Sequence, residues 1–224
     1  YLINVMRKKK DDTLLIFNSV DGEYLAQISQ ICKKNIALTI VKKIRDVEAE
    51  IDLWILFAPV KKAPTEYIIQ KATELGASKI FPVITDRTIT KQINLKRMQD
   101  IAIEASEQCE RLTIPEIFDL KKIKDVIESW DKKRTILYGD ETIRKRDEIK
   151  FDFQNFHSKS LGAILIGPEG GFNNDEINYL RKKPFIKPID LGPRILKSDT
   201  AVITTLVLWH CLNGNMKKYT QFNN

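Results

Sequence analysis

The stretch Leu165–Ile177, "LIGPEGGFNNDEI", decides how the second half of this chain folds. An apolar run ends there in Gly167-Pro168-Glu169-Gly170-Gly171, and a polar, amphipathic segment follows. Asn173 stands three residues before Glu176, a capping-box spacing that predicts a helix over Asn174–Lys182. Its basic last turn suits the negative end of the helix dipole. The order is strand, glycine-rich turn, helix. Glycines lack a Cβ, so their amides can come within hydrogen-bond range of a ligand. A tight turn with no ligand would use the same residues. No Gly-Lys-Ser/Thr follows and no G-x-G-x-x-G is present, so both common nucleotide fingerprints are absent.

Working outward, strand and helix patterns alternate on both sides. "IDLWILFAPV" is an apolar run suited to a strand buried on both faces. Pro64 and Thr65 open a helix in which Tyr67, Ile68, Lys71, Ala72 and Leu75 share one face, and Gly76 sits where a C-terminal cap belongs. "SKIFPVIT", "RTILYGD", "LGAILIG" and "KPIDLG" read as strands. "NLKRMQDIAIEASEQCER", "KDVIESW" and the largely buried "SDTAVITTLVLWHCL" read as helices. The result is an α/β domain with a mostly parallel sheet, whose ligands sit beyond the carboxyl ends of the strands. Two glycine-bearing segments lie at such ends: "GPEGG", and "LGPRILKSDTA" from Leu191 to Ala201. In the second, Ser198 or Asp199 could serve only to cap the following helix. On "EASEQCERL", Glu104, Glu107, Gln108 and Arg111 fall at helical spacing, which by itself describes a solvated face with a Glu107–Arg111 pair.

The first fifty residues have a different texture. "TLLIF", "EYLAQISQI" and "NIALTIVKKI" alternate like short strands, with Asp21-Gly22 as a hairpin turn. A charged stretch, Asp46–Glu50, separates this small barrel or open sheet from the rest. The boundaries expected are residues 1–48 and 51–224.

Composition bounds the function. With 224 residues, 43% hydrophobic and 30% charged, the chain is globular and large enough for a core without staples. A net charge of +7 hints at a polyanionic partner, yet the excess is diffuse: residues 1–50 carry nine basic and seven acidic side chains. Cys32, Cys109 and Cys211 lack metal-ligand spacing, and His157 and His210 do not complete a set, so no metal is expected and a reducing cytoplasm is. No apolar run approaches the ~20 residues of a membrane span. No signal-peptide pattern opens the chain, which begins at Tyr1 in mid-pattern.

Four segments in order, "QKATELGASKIFPVITDRT", "EASEQCERLTIPEI", "LIGPEGGFNNDEI" and "LGPRILKSDTA", closely resemble the RsmE family of bacterial methyltransferases. Members make 3-methyluridine in small-subunit (16S) ribosomal RNA with S-adenosylmethionine as methyl donor. The resemblance runs from "VMR" and "DGEYLAQI" to the last helix. It implies a SPOUT-type α/β domain with a C-terminal trefoil knot, which periodicity never shows and ordinary topology rules disfavour. It further implies a preceding PUA-like β-barrel, a homodimer and a cytoplasmic enzyme. The donor site carried over comprises Leu165, Ile166, Gly167, Pro168, Glu169, Gly170 and Gly171 from one turn, and Leu191, Gly192, Arg194, Ile195, Leu196 and Thr200 from the other. Leu165, Ile166, Ile195 and Leu196 are the expected adenine walls.

For the RNA, the resemblance assigns Arg7, Lys61, Lys71, Arg87, Arg111 and Lys197. The N3 proton of uracil has a pKa of ~10, in the tyrosine range. Its removal by a positioned base is worth ~10²–10⁴-fold, and guanidinium donors on the uracil oxygens stabilise the developing charge. Arg111 and Arg87 are expected in that role, Glu107 as proton acceptor, and Glu169 and Arg194 as residues that order the two turns. Two other readings share the pattern: a SPOUT enzyme for another RNA position, and a non-catalytic RNA-binding assembly factor. Five positions depart from the family: Lys197, Ser198 and Asp199 stand where Arg-Thr-Glu is expected, and Lys62 replaces a glycine. Pro64 also occupies a position that is usually basic.

Overall fold

The structure, a computed structural model, describes residues 2–33, 35–145 and 161–213; Tyr1 and His157 lie outside the described residues. The chain divides into two compact units. The first comprises Tyr1–Ala49 with Glu110–Ile114, and the second comprises Glu50–Cys109 with Pro115–Asn224. A contiguous second segment does not anticipate the return of residues 110–114 to the first unit.

In the first unit, β1 (Thr13–Asn18), β2 (Gly22–Ile31) and β3 (Ile36–Arg45) form an antiparallel sheet in that order. The β1–β2 turn is held by Asn18, whose Oδ1 accepts from the amides of Val20 (2.8 Å) and Asp21 (2.6 Å). Gly22 has φ +96°, and a Cβ there would lie 2.3 Å from the Arg45 carbonyl oxygen. Only glycine fits. Arg45 closes the unit: its Nε donates to Glu23 at 2.8 Å and its Nη2 to the Glu110 carbonyl at 2.6 Å.

The second unit is built on a wholly parallel sheet. Its strands are β4 (Leu53–Phe57), β5 (Ala77–Ile84), β6 (Glu116–Ile117), β7 (Lys121–Lys122), β8 (Thr135–Gly139), β9 (Gly162–Ile166) and β10 (Ile186–Ile189). The order is β10-β8-β9-β4-β5-β6, with β7 also against β5. β9, late in the chain, is inserted between β8 and β4. Successive β9 residues therefore serve opposite faces. Ile164 and Ile166 join the core with α1 (Lys62–Glu74), α2 (Leu95–Gln108) and α5 (Ser198–Asn213), while Ala163 and Leu165 join the core with α3 (Ile123–Glu128) and α4 (Asn174–Arg181).

Local signals account for most element ends. Asn94 caps α2 through Oδ1 to the Arg97 amide (3.0 Å). The Asn173–Glu176 capping box opens α4 as expected. Gly76, with φ +77°, ends α1, which begins two residues before Pro64. α2 stops at Gln108 rather than reaching Arg111, because Glu110 adopts φ 57°. The helical spacing expected of Glu107 and Arg111 therefore ends between them. Arg134 ties the amino ends of three strands: its Nη1 donates to the carbonyls of Asp52 (2.6 Å) and Gly162 (3.1 Å), its Nη2 pairs with the Asp52 carboxylate, and its plane stacks 3.7 Å over Trp54. At this same end Gly162 lies against the fully buried Trp209 ring of α5. The carboxyl ends are left for the site.

Candidate functional site

Beyond the carboxyl ends of β8, β9 and β10 the chain leaves a cleft of about 710 Å³, counted to its open mouth. Three segments line it: Gly139–Thr142 after β8, Ile166–Phe172 after β9, and Ile189–Leu196 after β10. Ile177, Ser198 and Ala201 close the base. The aliphatic walls are Ile166, Ile189, Leu191, Ile195 and Leu196. Among the described residues the charged lining is acidic: Asp140, Glu141, Glu169 and Asp190. Such a lining favours a neutral or cationic ligand with an apolar body over a phosphate.

The glycine turn is braced on several sides. Ala58 donates to the Ile166 carbonyl (3.0 Å) and Ser198 Oγ to the Gly167 carbonyl (3.0 Å). The Gly171 amide closes on the Pro168 carbonyl (2.8 Å), and Arg87 Nη1 donates to the Gly170 carbonyl (2.7 Å). Glu176, nearly buried, accepts from the Asp86 amide through Oε1 (2.8 Å) and from the Asn173 amide through Oε2 (3.0 Å). Gly171 has φ +66°, and a Cβ there would meet the Glu141 carboxylate at 2.9 Å. Here the missing side chain serves the turn itself.

Below the first lining segment lies a buried polar cluster. Asp140 Oδ2 accepts from Tyr138 Oη (2.7 Å) and Arg181 Nη2 (2.6 Å), and Oδ1 accepts from the Thr142 amide (3.0 Å) and hydroxyl (2.6 Å). Burial pushes the Asp140 carboxyl up, but the hydrogen bonds from Thr142, Tyr138 and Arg181 outweigh it and hold the group below its ordinary 3.8. Burial and that carboxylate together keep Tyr138 protonated far above its usual range, so it remains a donor. A depressed carboxyl contributes stability that is fully present above the unfolded-state value and is lost as pH falls through the folded-state value. Asp140→Asn should therefore cost about 3–5 kcal/mol at neutral pH, and much less once the pH is well below ~4, where the wild-type carboxylate is itself protonated. Urea unfolding of both proteins across that range measures the convergence.

Of the residues expected at the donor site, Ile166, Gly167, Pro168, Glu169, Gly171, Leu191, Ile195 and Leu196 line the cleft. Leu165 does not: strand alternation turns it into the opposite core, where it is fully buried. Gly170, Gly192, Arg194 and Thr200 also lie outside the lining. Gly170 instead presents its carbonyl to Arg87, and Arg194 and Thr200 are exposed. Ser198 is buried and directs its hydroxyl to Gly167 rather than to its own helix end, and Asp199 Oδ1 accepts from the next amide, Thr200 (2.7 Å). Glu107 is exposed in the last turn of α2. Lys61 is the N-cap residue of α1, Lys71 pairs with Glu74 (2.7 Å), and Lys197 is exposed before α5. Arg7 and Arg111 belong to the first unit, Arg7 with φ 53° and Arg111 donating through Nε to Thr113 Oγ1 (2.9 Å). The segment Gly139–Thr142 and the residues Phe172, Ile177, Ile189, Asp190 and Ala201 were not anticipated. The one sequence cue was a Gly-Asp pair ending the apolar run "TILY".

Among the described residues no cluster of His, Cys, Asp and Glu could hold a metal, and no helix is long and apolar enough to cross a membrane.

Comparison with known proteins adds three findings. An RNA methyltransferase domain family matches residues 47–210, and an RNA methyltransferase PUA domain family matches residues 1–41. The chain is 35% identical to ribosomal RNA small subunit methyltransferase E of Rickettsia conorii over 97% of its own length and 88% of the relative's. Two solved structures superpose closely. A methyltransferase from Legionella pneumophila in complex with the bound cofactor SAM has a TM-score of 0.81 at 27% identity, covering 96% of this chain and 88% of that one. Ribosomal RNA small subunit methyltransferase E from Neisseria gonorrhoeae bound to S-adenosyl methionine has a TM-score of 0.83 at 22% identity, with 95% and 88% covered, and shares the fold.

Proposed function

The chain belongs to the RNA methyltransferase family, together with ribosomal RNA small subunit methyltransferase E, and on that premise we propose that it methylates small-subunit ribosomal RNA at uridine N3, using S-adenosylmethionine. The observation that carries this reading is the cleft's lining: aliphatic walls for an adenine, main chain from two glycine-bearing turns, and, among the described residues, charged groups that are all carboxylates. S-adenosylmethionine supplies an electrophilic methyl carbon on a positively charged sulfur. The residues present fit that ligand, because the carboxylates of Glu141, Glu169 and Asp190 favour its cationic end and its ribose hydroxyls. Ile166, Leu191, Ile195 and Leu196 would flank its base. Arg111, Arg87, Arg7, Lys61, Lys71 and Lys197 are assigned to the RNA, and Glu107 to the N3 proton.

Two further features of the reading have support. The segment after β10, at the sheet edge, returns to α5, where Ser198 meets the turn after β9 and Trp209 meets its first residue, as a trefoil-knotted C-terminus requires. α5 is apolar around its whole circumference, yet Ile203, Val207 and Leu208 are only half-buried in one chain, which supports a homodimer. The first unit, residues 1–48 in this reading, would serve as the PUA-like RNA-binding domain, and a ribosomal substrate would be met in the cytoplasm.

The test combines calorimetric titration with S-adenosylmethionine and nucleoside mass spectrometry of small subunits incubated with the enzyme. The expected product is 3-methyluridine. A different methylated nucleoside would overturn the position, and absence of both binding and product would overturn the enzyme. Arg111→Ala should lower methylation ~10²-fold, the effect of removing one charge-stabilising donor, while donor affinity stays within a few fold. Unchanged turnover would remove Arg111 from the reaction.

A further inference from the structure

Sheet pairing of β9 with β4 ends at Ile166, and the ladder's last bond runs from Ala58 to the Ile166 carbonyl. The next carbonyl, Gly167, is where the strand becomes the cleft wall. Its partner is not backbone but the hydroxyl of Ser198, at 3.0 Å. Ser198 is 6% exposed and lines the same cleft. It is also the first residue of α5, one past the capping position Lys197, whose carbonyl accepts from the Ala201 amide at 2.8 Å, so its hydroxyl is free to bond outside the helix. Two residues earlier stands Leu196, part of the opposite wall. On the near side a Cβ on Gly167 would stand 3.0 Å from the Phe172 ring, so that ring packs beside the turn where a side chain would otherwise be. One hydroxyl thus spans the two turns, and its bond length sets their separation.

We propose that Ser198 is a positioning residue for the methyl donor: its hydrogen bond to the Gly167 carbonyl fixes the gap between the Ile166–Gly171 and Leu191–Leu196 turns at the width the donor needs. This rests on the reading of the cleft as the donor site. Without the hydroxyl the Gly167 carbonyl loses its Ser198 partner beside the ligand, and the two turns lose the hydrogen bond that joins them.

The experiment compares wild type with Ser198→Ala, Ser198→Thr and Ser198→Cys, measuring donor Kd by calorimetry together with kcat and the KM for each substrate. Ser198→Ala should raise donor Kd and KM about tenfold, the worth of one buried hydrogen bond, with kcat and the RNA KM within twofold. Threonine, which keeps the hydroxyl, should restore donor affinity to within twofold to threefold, and cysteine, a weak donor of similar size, should fall between. Should the alanine variant fold poorly, the threonine and cysteine pair carries the same comparison. Donor affinity unchanged in Ser198→Ala, or no recovery with threonine, overturns the assignment. Wild type that fails to bind the donor would instead overturn the reading of the cleft, so the two failures are distinct.

Discussion

Replacing Gly162 by alanine should unfold much of the protein at temperatures the wild type tolerates. A single Cβ at this position would lie 1.8 Å from Cη2 and 1.9 Å from Cζ2 of Trp209, and 2.7 Å from Cζ3. No rotation of a fully buried indole relieves three such contacts. Either β9 withdraws from its neighbours or α5 lifts from the sheet, and both lose packing on the larger core. The expected cost is about 4 kcal/mol, a large fraction of the ~5–15 kcal/mol that a domain has. Thermal unfolding should fall by on the order of 10 °C. A double-mutant cycle isolates the cause: Trp209→Leu, itself destabilising, should make Gly162→Ala nearly neutral in its background. Additive effects would show that the indole is not the obstacle.

Gly139→Leu should have the opposite profile, sparing the fold and abolishing donor binding. A Cβ on Gly139 would stand 3.4 Å from Ile166 Cδ1 and 3.5 Å from Leu191 Cδ1, ordinary contact distances. The backbone therefore tolerates a side chain. What a leucine adds beyond Cβ must go between two aliphatic walls of the cleft, in the space the adenosine would occupy. We expect donor affinity to drop at least ~10³-fold, equivalent to about 4 kcal/mol, with urea unfolding close to that of wild type. Gly139→Ala, which stops at Cβ, should lose far less. Donor binding within tenfold of wild type in Gly139→Leu would mean that the ligand lies elsewhere.

How much of this could be read beforehand depended on whether a feature was local. The Asn173–Glu176 capping box, the α1 end at Gly76 and the buried strand Leu53–Phe57 depend on neighbours within a turn or on a continuous apolar run, and the alternation of elements led to the parallel sheet. The end of α2 did not follow, because Glu110 takes a left-handed conformation without a glycine to signal it. In the cleft, the two turns rich in glycine announced themselves, whereas Gly139–Thr142 resembled the close of any strand. Leu165 and Ile166 are equally aliphatic, and only the parity of β9 against the two helical layers separates a cleft wall from a core residue. Ser198 illustrates the same point: its proximity to Gly167 arises from strand order, which pairs segments with no sequence relation.

Strand order has one more consequence, for biosynthesis. β4 occupies residues 53–57, but the strand that covers one of its edges is residues 162–166. As the chain leaves the ribosome, the hydrogen-bonding rim of Leu53–Phe57 stays open while everything between is translated, on the order of ten seconds at ~5–20 residues per second. An open apolar rim is a template for pairing with another chain. The newborn protein is thus most prone to aggregation through its central strand, and premature termination before residue 162 would leave a fragment in that state permanently.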